Sequence, residues 1–152
     1  MYPLPSAGGP VDDVAMDRTT CTPRALRTTV SIQPITAEDA FAVAALHIQG
    51  MRERGEVVPT GYLDAFADAW LGDPDRVGWL ARDPRGKPLA ALHGRVEPSL
   101  PTATTAAGRR LRLEHELVCE AARETGLEER LRRAAAAYAA DSGLVTVLPP
   151  PT

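Results

Sequence analysis

Between Glu116 and Glu128 the chain reads ELVCEAARETGLE. An apolar strand end, Leu117-Val118, runs into a turn around Gly126 and then into a helical pattern. A strand that turns through glycine into a helix leaves backbone N–H groups unpaired, and the helix dipole adds partial positive charge there. That combination suits a pyrophosphate. Arg123, Glu124, Thr125, Gly126, Leu127 and Glu128 would form the turn. Gly126 allows close backbone approach, and Arg123 adds charge. Glu124 and Glu128 oppose an anionic ligand if they face it, and otherwise stabilise the helix start. Just upstream, Glu114 and Glu116 are carboxylates that could take a proton from an amine. Strict strand alternation puts them on one face with Val118, and His115 on the other with Leu113 and Leu117. His47 and His93 read as structural histidines. Cys119 has no identifiable histidine partner and reads as inert. Trp70, Trp79 and Tyr138 read as packing residues.

These side chains need elements to hold them. Val30–Ile32 predicts a short strand that Pro34 ends. Thr36 followed by Asp39 resembles a capping box before a helix over about 37–54. Tyr62, Phe66, Ala69 and Trp70 share one face of a helix over 61–71. Val77–Ala81 and Leu89–Val96 predict a hairpin about Asp83–Lys87. A loop over 97–108 leads to a strand carrying Leu111, Leu113 and Leu117. Leu127–Asp141 predicts a helix, with Glu128–Arg132 and Glu129–Arg133 pairs on its outer side. Val145–Val147 predicts a last strand. Residues 1–28, broken by Pro and Gly, predict a disordered tail, 29–148 a domain, and 149–152 a Pro-rich end.

This order of strand, two helices, three strands, helix and strand resembles the GNAT superfamily of N-acetyltransferases. The segment VSIQPITAEDAFAVAALH (30–47) is similar to its first strand and helix, and ELVCEAARETGLE lies where the family has its acyl-CoA motif. The resemblance implies a mixed α/β sheet flanked by helices, acetyl-CoA as cosubstrate and an amine as acceptor. It also implies that the backbone of Leu117 and Val118 pairs with the pantetheine arm. Glu128 stands where the family has Gly or Ala. The family continues past its fifth strand with a helix and two more strands, and its helix often carries a tyrosine acid. This chain lacks them, so the expectation is a truncated domain. It is either an N-acyltransferase or a non-catalytic interaction or regulatory module completed by a partner chain. An edge strand at Val145–Leu148 would invite a second copy or another protein.

Composition narrows the classes. The chain has 152 residues, a net charge of −3, 44% hydrophobic and 24% charged residues, which suits one domain with a modest core. Its acidity argues against nucleic-acid partners. Cys21 and Cys119 lie outside any CxxC pair, so no metal site is expected. The longest apolar run, Ala134–Ala140, is too short to span a bilayer. With no basic, apolar leader at its start, the chain is expected in the cytoplasm.

Overall fold

The computed structural model describes residues 29–145 and 147–150. The expected tail falls outside them. β1 (Ser31–Pro34) leads through a 3-10 turn (Ala37–Asp39) into α1 (Ala40–Glu53) and α2 (Tyr62–Leu71). β2 (Arg76–Arg82), β3 (Pro88–Ser99) and β4 (Gly108–Val118) follow. A second 3-10 turn (Glu120–Ala122), α3 (Leu127–Asp141) and β5 (Val147–Leu148) complete the order. The sheet runs β1-β2-β3-β4-β5. Its first four strands are antiparallel, and β5 lies parallel to β4.

Local chemistry sets the element ends. The Thr36 backbone N–H and hydroxyl donate to Asp39 Oδ2 at 2.8 and 3.0 Å. Asp39 Oδ1 also accepts from Arg82 at 2.6 Å, which ties the start of α1 to β2. The β2–β3 turn is held by Asp83 Oδ1, which accepts from the Arg85 and Lys87 amides at 2.9 Å. β3 and β4 extend further than Pro98 and the Pro/Thr/Ala-rich segment led us to expect. Glu97 bridges to Arg110 and Arg112 across the pair at 2.8 and 3.0 Å, keeping the ladder closed.

Side-chain alternation divides the core. Trp79, Leu92, Leu111 and Leu113 pack with Leu127 and Leu131 under α3. Leu46 of α1 packs on Leu80 and Ala91 from the other face. Ala40 and Val43 meet Ala67 and Trp70 between α1 and α2.

β4 breaks its own alternation. His93 pairs with His115, but Gly94 pairs with Leu113, so Glu114 is an extra residue in β4. Such a bulge shifts the parity of everything after it. Leu113 packs under α3, whereas Leu117 packs toward Leu46 and Val118 returns to the α3 side. The expectation that Glu114 and Glu116 share a face is thereby corrected, as is the grouping of Leu113 with Leu117.

Candidate functional site

β5 pairs with β4 only at Leu111 and Arg112. Among the described residues, no strand pairs with the outer edge of β4 from Leu113 to Val118. That edge borders a cleft of about 500 Å³ between α1 and the start of α3. Leu117, Val118, Arg123 and Glu128 line it, with Gln49 and Glu53 of α1 opposite. Gly126 begins α3 at φ 81°, and no side chain caps the helix.

The turn residues divide by direction. Leu127 is buried in the core, and Thr125 is buried with its hydroxyl donating to the Ala122 carbonyl. Glu124 is exposed at φ 62° and is not among the lining residues. Glu128 does line the cleft. The Arg123 guanidinium donates to Glu53. Cys119 is a buried free thiol whose backbone N–H donates to Leu89 O at 2.9 Å.

The cleft continues past Glu116 and Leu117 into an open groove of about 990 Å³, lined by His47, Tyr62, Glu114, His115 and Arg132 among others. Beneath it lies a pocket of about 260 Å³ whose walls include Phe66, Trp70, Arg76 and His93. The bulge separates the two carboxylates. Glu114 meets Arg76 of β2 at 2.9 Å, and Arg76 lies over the Trp70 ring. Glu116 turns to α3 and takes a forked pair of bonds from Arg132 at 2.8 to 3.0 Å. Arg132 was expected to pair with Glu128; the bidentate bond to Glu116 holds it instead, while Glu129–Arg133 forms as expected at 3.2 Å.

All three histidines of the chain converge here. His47 Nε2 and His93 Nε2 are 2.9 Å apart. The ring of His115 lies 4.9 Å from His47 and 5.0 Å from His93, centroid to centroid. Phe66 and Trp70 flank the group. Burial, then the nearby charges of His115, Arg54 and Arg76, pushes His47 down to about 4. Burial, then His47, His115 and Arg76, pushes His93 down to about 2. His115 is lowered by desolvation and by Arg76, against the opposing pull of Glu114. The sequence hides this cluster, because the histidines are far apart along it. Only the register that sets His93 against His115, with α1 laid over both, brings them together. Among the described residues no group of His, Cys, Asp or Glu is placed to hold a metal ion, and no helix is long and apolar enough to cross a membrane.

No protein-family model matches the chain. No curated protein sequence matches it. Solved structures do. A ribosomal-protein-alanine N-acetyltransferase from Brucella melitensis biovar Abortus is 20% identical, with a TM-score of 0.65 over 78% of each chain. A predicted acetyltransferase from Clostridium acetobutylicum, solved with acetyl-CoA, is 12% identical, with a TM-score of 0.64 over 78% of each chain. A GCN5-related N-acetyltransferase from Ralstonia eutropha is 21% identical, with a TM-score of 0.61 over 78% of this chain and 81% of its own. The mixed sheet, its flanking helices and these neighbours give one answer: the chain has the fold of the GCN5-related N-acetyltransferases.

Proposed function

We propose that this chain is an acyl-CoA-dependent N-acyltransferase, taking acetyl-CoA as cosubstrate and a primary amine as acceptor. The observation that carries the reading is the open β4 edge running straight into the uncapped, glycine-led start of α3. Leu117 and Val118 would hydrogen-bond the pantetheine arm through their backbones. The amides of the Gly126 turn would hold the pyrophosphate, with Arg123 beside it. Arg123 must first exchange Glu53 for phosphate. Glu128 in the cleft costs on the order of a kcal/mol if it faces that anion. The acyl end would then reach the bulge, where Glu114 and Glu116 flank the groove. Each carboxylate is paired with an arginine, so either must give up part of that pair before it accepts an N–H bond from an incoming ammonium. A cytoplasmic location, where acyl-CoA is at hand, belongs to the same proposal.

The test is acetyl-CoA with a panel containing an alanyl peptide, a polyamine and an aminoglycoside. Release of CoA thiol that depends on the amine, with a matching acetylated product by mass, is the expected result. Binding of acetyl-CoA without turnover of any amine would favour the second reading, a non-catalytic module. The Arg123–Glu53 pair and Glu128 are the observations on that side. In either case the two-residue β5 is the edge at which a second copy or a partner would add a strand.

A further inference from the structure

We propose that His115 takes the proton from the acceptor amine, with His47 and His93 as the pair that positions its ring. The proposal rests on the acyltransferase reading for the location of the thioester. That location is the end of the open β4 edge, where the groove and the deeper pocket meet. His115 lines both hollows and is the exposed member of the cluster.

The alternatives are committed elsewhere. Glu114 is held by Arg76 and Glu116 by Arg132. Cys119 is buried on the α3 side. Within the cluster, the 2.9 Å contact needs one hydrogen between the two Nε2 atoms. His93 is 1% exposed, and its Nδ1 has no partner among the described residues. A hydrogen there would be a buried, unpaired donor, so His93 carries its hydrogen on Nε2 and donates to His47 Nε2. A further proton on that nitrogen of His47 would set N–H against N–H. The pair is thus closed to protons at its contact; His47 also lines the groove, but its Nε2 is taken up by His93, and His115 is the more exposed ring. Arg76 from β2, Arg54 from α1, Glu114 from β4 and Tyr62 from α2 are the other titratable groups facing the cluster.

The chemistry balances. The ammonium gives a proton to the His115 imidazole, and the freed nitrogen lone pair attacks the thioester carbonyl carbon. A C–N bond forms and the C–S bond breaks. The sulfur leaves with the electron pair and takes the second proton lost by the nitrogen. The His115 imidazolium returns its proton to solvent through the open groove.

Bromoacetyl-CoA tests this without knowledge of the acceptor. Its C–Br bond breaks, bromide leaves, and a bond forms to whichever lone pair lies at the acyl position. The expected adduct is on His115, within the tryptic peptide 113–123, where fragmentation separates it from Cys119. The rate should be flat above neutral pH and fall about tenfold per unit once the imidazole protonates. His115→Gln should lose the adduct and keep the thermal shift with acetyl-CoA. An adduct on Cys119, Glu114 or Glu116, or none while acetyl-CoA binds, overturns the proposal. If acetyl-CoA does not bind, the acyltransferase reading fails, and diethyl pyrocarbonate on the free chain decides the histidine separately. Modification of His115 ahead of His47 and His93 supports its accessible lone pair; the reverse order overturns it.

Discussion

Gly94→Ala is expected to unfold the domain. A Cβ built at Gly94 stands 1.9 Å from the Arg112 carbonyl oxygen and 2.8 Å from the Leu113 Cα. These are backbone atoms of the paired strand, so no rotamer relieves the clash. The β3–β4 ladder must open beside the Glu114 bulge. Overpacking of this kind costs on the order of 3 kcal/mol or more. A domain with about 5–15 kcal/mol of net stability tolerates that poorly. Urea unfolding followed by circular dichroism should give a much lower midpoint, or no folded baseline. Gly86→Ala is the control: its Cβ meets nothing within 4 Å, and its φ of +83° carries the whole penalty, about 1–3 kcal/mol. Equal midpoints for the two variants would contradict the register at the bulge.

Acid should weaken the protein before its carboxylates titrate. His47 and His93 are held to about 4 and about 2 when folded, against 6.5 when unfolded. A depressed histidine means that the unfolded chain binds the proton first. Stability is therefore whole above about pH 6.5 and is lost as pH falls below it, down to about 4 for His47 and further for His93. The ceiling is about 1.4 kcal/mol per pH unit for each histidine, and partial exposure of His47 reduces its share. Asp39, Asp73 and Glu97 are lowered too, but their loss begins only as pH falls into the ordinary carboxylate range, from about 5 downward. The window from about 6.5 to 5 belongs to the histidines. Denaturation midpoints at pH 7, 6 and 5 should fall steeply in the wild type and much less in the double variant His47→Leu, His93→Leu. A wild-type midpoint unchanged between pH 7 and 5 would show that the pair is not buried as described.

Element order was legible because each element carries its own local signal. The Thr36–Asp39 box marks the approach to α1, and the glycine before Leu127 and the Glu129–Arg133 pair mark α3. The bulge was not. Leu111 to Leu117 alternates regularly, so nothing within it announces an extra residue. The cause is nonlocal: Gly94 lets the Arg112–Leu113 backbone come close, and Leu117 finds its place against Leu46. One inserted residue then separated Glu114 from Glu116 and turned His115 toward His47 and His93. Histidines read singly as packing residues prove to be a connected group, because tertiary register, not spacing, unites them. The turn at Gly126 was readable, whereas the capture of Arg123 by Glu53, far along the chain, was not.

The most direct measurement is thermal unfolding of the wild type and Gly126→Val with acetyl-CoA. A ligand at about 100 times its dissociation constant stabilises by about 2.7 kcal/mol. The expected result is a rise in the wild-type Tm that saturates with acetyl-CoA and is absent in Gly126→Val. Valine resists the left-handed backbone at φ +81° and crowds the turn that would receive the pyrophosphate. No rise for the wild type at millimolar acetyl-CoA, or an equal rise in both proteins, would contradict the placement of acyl-CoA on the β4 edge and the start of α3.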